Sequence, residues 1–266
     1  MFNLVKNKIK NYLRIDTIDK LLEGQSKITD ELLAISSVLR QDEKYNKLFW
    51  LYDNKEERMD ATKLIFNESR RLFHLSRYEF ASNYCSGKNV ADIACGTGYG
   101  TKLLAIKGEA TSVIGIDICT EAIAYATNEH SLPCVTYRKS SGTETGLESG
   151  TIDIIVSFET IEHISNDHDL IKEFYRILIP GGLLVCSTPN KWPIAIASHH
   201  VREYDRSSFI TLLSSLFEIV GLYNQNSGDS SPFNRAQEKG IVETSDDNFL
   251  LAECFIAVCK KKMSMF

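Results

Sequence analysis

Three glycines set one residue apart, Gly96-Thr97-Gly98-Tyr99-Gly100, follow directly on the apolar stretch Val90-Ala91-Asp92-Ile93-Ala94-Cys95. A buried strand that runs into a glycine turn and a helix start lets the backbone approach a ligand closely, with main-chain N–H groups facing it. Asp117 closes a second apolar stretch 19 residues beyond Gly98, the distance at which a carboxylate accepts hydrogen bonds from both hydroxyls of a ribose. The spacing of a nicotinamide-binding turn is not met, because Thr101 stands where its third glycine belongs. Singly, Asp92 also reads as a buried acid held by backbone amides and Asp117 as a helix N-cap near Thr120. Glycine turn and acid together select a nucleoside site.

The chain holds six histidines, and imidazole is the side chain best tuned to take a proton near neutral pH. His163 closes Glu159-Thr160-Ile161-Glu162-His163, and His199 and His200 open His199-His200-Val201-Arg202-Glu203-Tyr204. As general bases we rank His200 first, then His163, then His199. Each has an alternative as a hydrogen-bonding strut, His163 buttressing its loop through Glu162 and His200 anchoring its own. Cys95 lies inside the glycine turn without the basic neighbour that a nucleophilic thiolate needs. Asp167-His168-Asp169 resembles a metal set in composition, but acids that open a helix act as caps and dipole partners, and no required metal is expected.

These residues need a scaffold, and the hydrophobic pattern describes one. From Lys88 onward, short β-branched runs alternate with helical stretches, as in an α/β domain whose mostly parallel sheet carries helices on both faces. Seven strands are expected, at 89–94, 112–117, 134–138, 152–158, 182–188, 217–223 and 250–260, with helices at 101–107, 120–129, 167–178 and 206–216. Pro180-Gly181-Gly182 ends the third of these helices. Near the start, Ile18, Leu21, Ile28, Leu32, Ile35 and Leu39 fall on alternating three- and four-residue steps, a short seam that pairs with another subunit or with its own core. The chain divides accordingly into an N-terminal helix and oligomerisation element (1–45), a helical cap (46–88) and the catalytic domain (89–262). Gln225 to Asn248, rich in Ser, Asn, Asp and Gly, reads as a loop, either a substrate lid or an insert.

Asp92 to Gly100, Gly115-Ile116-Asp117, Phe158-Glu159-Thr160-Ile161-Glu162-His163 and Pro180-Gly181-Gly182 resemble successive signatures of class I S-adenosylmethionine (SAM)-dependent methyltransferases, over residues 88–262. The resemblance implies a Rossmann-like seven-stranded sheet with an antiparallel last strand, and SAM lying over the carboxyl ends of the first strands, to leave as S-adenosylhomocysteine. It implies that Asp92 and the backbone of Ala94, Cys95, Gly96, Thr97 and Gly98 hold the methionine part, that Asp117 holds the ribose and that Ile118 packs on the adenine. Phe158, Ser141 and Gly142 complete the implied set, Ser141 standing where many relatives carry an acid for the adenine amine.

Phe73-His74-Leu75-Ser76-Arg77-Tyr78 and the stretch from Ser187 to Tyr204 further resemble methyltransferases found with sugar and cell-surface polysaccharide genes. In that group a basic residue at the place of Arg77 reaches the SAM carboxylate, which guanidinium pairs bidentately; a surface arginine is the alternative. The resemblance implies O-methylation of a hydroxyl on a nucleotide sugar or glycan, for which a base helps because the hydroxyl is hardly ionised. Two rivals stand beside it. Phe158 to Ile164 also resembles methyltransferases of quinones and other small rings, and a non-catalytic SAM-binding subunit, assembled through the N-terminal helix, is the reading of another class.

Composition narrows the partners. A net charge of -5 argues against a groove for phosphate backbones, so nucleic acid is not an expected substrate. Seven cysteines, odd in number and without a Cys-x-x-Cys pair, read as reduced thiols of a cytoplasmic protein, most of them packed as small hydrophobes. The first residues lack the pattern of a secretory signal, and no segment reaches the roughly 18 apolar residues of a membrane span.

Overall fold

The structure is a computed structural model that describes residues 24–30, 32–34, 50–51, 53–55, 58–191, 200–227 and 239–262. The chain forms two compact units, Met1–Asn54 and Lys55–Phe266. In the first, residues 24–30 and 32–34 are helical. Of the expected seam, Ile28 and Leu32 are exposed, while Ile18, Leu21, Ile35 and Leu39 lie outside the described residues.

The second unit opens with α1 (Glu68–Ser82), whose first turn is capped by the Asn67 side chain. Alternating elements follow: β1 (Asn89–Ile93), α2 (Tyr99–Ile106), β2 (Ser112–Asp117), α3 (Thr120–Glu129), β3 (Val135–Lys139), β4 (Ile152–Phe158), α4 (Asp167–Ile177) and β5 (Leu178–Pro189). The unit closes with α5 (Arg206–Ser214), β6 (Phe217–Asn226), β7 (Gly240–Glu243) and β8 (Cys254–Lys261). The strands form one sheet in the order β3-β2-β1-β4-β5-β8-β6-β7. The first five pair in parallel, and β8 inserts antiparallel between β5 and β6. This is the expected Rossmann-like α/β sheet.

Eight strands replace the expected seven. The eighth, β7, falls within the stretch read from composition as loop, and pairs antiparallel along Tyr223 to Asn226 of β6. Four residues, Gly-Ile-Val-Glu, are too short for an alternation signal, and their partner is a strand edge that composition cannot display.

Side chains alternate across the sheet, as strand geometry requires. Val90, Ile154, Val156 and Val258 face one layer with Tyr78, Ala81 and Leu104 of α1 and α2. Ala91, Ile93, Ile155 and Ala257 face the other with Leu170, Phe174, Phe209 and Leu213 of α4 and α5. With both faces covered, the carboxyl edge of the parallel strands is left to build a site. All seven cysteines are free thiols, five of them buried, and no helix among the described residues is long and apolar enough to cross a membrane.

Candidate active site

After β1 the backbone takes the left-handed conformation at Ala94, Gly96 and Gly98, with φ of 63°, 55° and 82°. That alternation coils the chain into a tight bend at the start of α2. At Gly98 a side chain is excluded twice over, because a Cβ would stand 2.6 Å from the Ala126 Cβ and 2.9 Å from the Tyr137 ring. A Cβ on Gly100 would stand 2.0 Å from the ring of Tyr78, so its absence is what admits that ring. The bend is held from outside. Asp117 Oδ2 accepts the Gly96 N–H at 2.8 Å and Oδ1 accepts the Cys119 N–H at 2.9 Å. Each oxygen keeps a further lone pair for a ligand hydroxyl.

A cavity of about 440 Å³ opens beside this carboxylate, within the span of about 300 to 1,000 Å³ usual for small-molecule and cofactor sites. Of the residues singled out in the sequence, Ala94, Asp117, Ile118, Ser141, Gly142 and His163 line it. Sequence reasoning missed Arg58, Ile116, Ser140, Glu159, Thr160 and Ile164 on the same wall. Arg58 belongs to the expected cap, and its guanidinium stands 3.8 Å from Asp117. The segment carrying it is pinned by Thr97 Oγ1, which donates to the Met59 carbonyl at 2.6 Å. Behind it, the Asp60 carboxylate pairs with His130 at 2.8 Å and accepts from Tyr125 and Thr62. Burial works against the charge on Asp60, but the hydrogen bonds from His130 and Thr62 outweigh it and hold the carboxyl below its ordinary range.

Asp92, Cys95, Gly96, Thr97, Gly98, Arg77 and Phe158 are not among the residues that line the cavity. Asp92 is fully buried and accepts from Thr101 at 2.6 Å and from Tyr78 at 3.4 Å. Burial pushes its carboxyl up to about 7. Phe158 packs edge-on against Tyr78, ring centroids 5.0 Å apart. Burial and the carboxylates of Asp92 and Asp117 drive the Cys95 thiol upward, which removes the thiolate that nucleophilic chemistry requires.

Arg77 is 1% exposed. Its Nη1 contacts Glu159 Oε1 at 2.7 Å and Ser187 Oγ at 3.3 Å, and the guanidinium lies 4.9 Å from the Phe73 ring centroid. Nε and Nη2 are buried with no hydrogen-bond partner. Glu159 itself is a non-glycine residue at φ 51°, a strained conformation at the point where β4 meets the cavity.

The other edge is assembled from distant pieces. A short 3-10 turn, Ile161–His163, follows β4. Glu162 is 1% exposed, and its Oε2 accepts from Thr188 Oγ1 at 3.1 Å. Burial and the neighbouring Glu159 push its carboxyl upward. The Glu162 carbonyl accepts the N–H groups of Val201 and Arg202, at 2.9 and 3.4 Å, which brings His200 to His163. The two imidazoles meet edge to face, centroids 4.8 Å apart. Asp167, read from sequence as a helix-opening acid, does sit in the first turn of α4, where its Oδ1 accepts the His168 N–H. Its other oxygen takes the Arg202 guanidinium and, at 2.6 Å, the Tyr204 hydroxyl, so the loop bearing His200 is docked on it. His199 lies outside the described residues.

The cavity suits an adenosyl sulfonium. A buried carboxylate with open lone pairs meets ribose hydroxyls, and the 68% exposed Ile118 offers an apolar wall to a flat base. The family profile for "Methyltransferase domain" matches residues 91–186. A protein of Mycolicibacterium smegmatis described as "Probable S-adenosylmethionine-dependent methyltransferase" is 30% identical over 193 residues, 66% of this chain and 74% of that protein. The mitochondrial ubiquinone biosynthesis O-methyltransferase of Arabidopsis thaliana is 26% identical over 66% of this chain and 58% of its own. In fold, a SAM-dependent methyltransferase of Aquifex aeolicus superposes with a TM-score of 0.53 at 18% identity, over 77% of this chain and all of that one. With a match that takes in two thirds of its length and the glycine turn and acid in place, this chain belongs to the SAM-dependent methyltransferases.

Proposed function

We propose that the protein is an O-methyltransferase whose acceptor is a hydroxyl of a sugar, on a nucleotide sugar or a glycan. The observation that carries the reading is the polar character of the cavity's far wall, where Glu159, Thr160 and His163 stand together. A sugar offers hydroxyls that can share hydrogen bonds with such groups, whereas an apolar ring offers them none. When bound, SAM supplies an electrophilic methyl group on a sulfonium. What the chain adds is alignment and the removal of the hydroxyl proton, because displacement in line gains much of its rate from positioning. Asp117 and the bend after β1 fix the nucleoside, and the edge of Glu162, His163 and His200 receives the acceptor hydroxyl.

A quinone-type ring hydroxyl is the second reading, favoured by the likeness to the Arabidopsis thaliana ubiquinone biosynthesis O-methyltransferase. Incubation of the full chain with isotopically labelled SAM and a panel of nucleotide sugars, lipid-linked glycans and quinols, read by mass spectrometry, separates the two. Label in a sugar product supports the first reading. Label confined to the quinols overturns it in favour of the second.

A further inference from the structure

We infer that Glu162, His163 and His200 form a binding site for a divalent transition-metal ion at the acceptor edge. One ligand atom from each of the three lies within 4.8 Å of the others, and His163 Nε2 is 3.9 Å from Glu162 Oε1. Two ligands bound at about 2.1 Å to one ion stand about 3 to 4 Å apart, so closure asks for side-chain shifts of about 1 Å or less.

A second, independent observation points to a cation. Glu162 is 99% buried, its Oε2 is fixed by Thr188, and its Oε1 has no hydrogen-bond partner. A carboxylate held by one oxygen with the other left bare is the arrangement of an oriented metal ligand. The guanidinium of Arg77 is engaged by Glu159. The Val201 and Arg202 amide bonds to the Glu162 carbonyl, with the Asp167 anchor beneath them, hold His200 in place before any ion arrives.

Two imidazole nitrogens and one carboxylate favour Mn²⁺, Fe²⁺, Co²⁺ or Zn²⁺ over Ca²⁺ or Mg²⁺, which prefer all-oxygen shells. His163 also lines the cavity, so an ion here faces the acceptor and lowers the pKa of a hydroxyl that reaches it. His163 and His200 then act as ligands rather than as the general bases anticipated from sequence, and the expectation of no required metal is set aside. Only the role of the ion rests on the O-methyltransferase reading; its binding does not.

The test is equilibrium dialysis of the full chain against Mn²⁺ and Co²⁺, without acceptor, with bound metal counted per chain and Co²⁺ followed by its visible absorption. Glu162→Gln, His163→Ala and His200→Ala are compared with His168→Ala, a change at an exposed position of α4. Calorimetry with S-adenosylhomocysteine shows that each variant is folded. One ion per chain is expected for wild type and His168→Ala, with affinity about tenfold or more weaker in the other three. No binding by wild type, equal binding by all variants, or loss in His168→Ala as well would overturn the site. Metal binding without methyl transfer to any sugar leaves the site standing and removes the sugar reading; transfer without metal binding does the reverse.

Discussion

At one end of the cavity Asp117 takes its two donors from the main chain, at Gly96 and Cys119. At the other, Glu162 and Asp167 are held by side chains that arrive from 26 and 37 residues further along. The first end is built from backbone conformation, the second from side chains that clamp separate segments together. A bend set by backbone conformation does not tolerate the addition of a Cβ, and a clamped edge is sensitive to the loss of the side chains that clamp it. Substitutions at the two ends should therefore separate cofactor affinity from acceptor turnover.

The largest effect is expected from Gly98→Ala. Left-handed backbone costs an L-residue about 1 to 2 kcal/mol, and the contact with Ala126 adds overpacking of about 1 to 3 kcal/mol. Denaturant unfolding should show a loss on that scale, and an unchanged midpoint would mean that the bend relaxes freely.

Asp92→Asn probes the buried acid behind the bend. Below about pH 3.8 the carboxyl is protonated in both states; between there and about 7 only the folded state keeps the proton. Stability is thus lost as pH rises through that window and is flat above it, by an amount on the order of a few kcal/mol. The Asn variant should flatten the slope between pH 4 and 7, and a slope equal to wild type would show that Asp92 is ionised in the fold.

Arg202→Ala removes the clamp on Asp167. Acceptor kcat/KM should fall about tenfold, or about 1.4 kcal/mol, with SAM affinity unchanged. A fall in SAM affinity instead would join the two ends. Arg58→Ala should do least. A pair 3.8 Å apart with the arginine 30% exposed is worth about 0.2 to 1 kcal/mol, so SAM affinity should change by at most about fivefold by calorimetry.

The same contrast explains what could be read in advance. The bend and Asp117 were legible because they sit in one βαβ unit, where spacing in sequence is spacing in space. Ile118, Ser141 and Gly142 came from the resemblance to the methyltransferases, position by position. Arg58 and Met59 gave no signal, since their place depends on Asp60 meeting His130 and Tyr125 from another element. Asp167 was legible as the acid of a helix start, but the use of its second oxygen on Arg202 and Tyr204 was not. Nor did six histidines in a row of letters show that His163 and His200 would share one edge, because a carbonyl at Glu162 and two amides bring them there. The short strand β7 was hidden for a like reason, its partner being an edge of β6.

Calorimetric titration of S-adenosylhomocysteine into the wild-type chain, Asp117→Ala and His200→Ala tests the division most directly. The account predicts that Asp117→Ala weakens binding about tenfold or more while His200→Ala stays within about twofold of wild type. Unchanged affinity in Asp117→Ala, or a loss confined to His200→Ala, would contradict it.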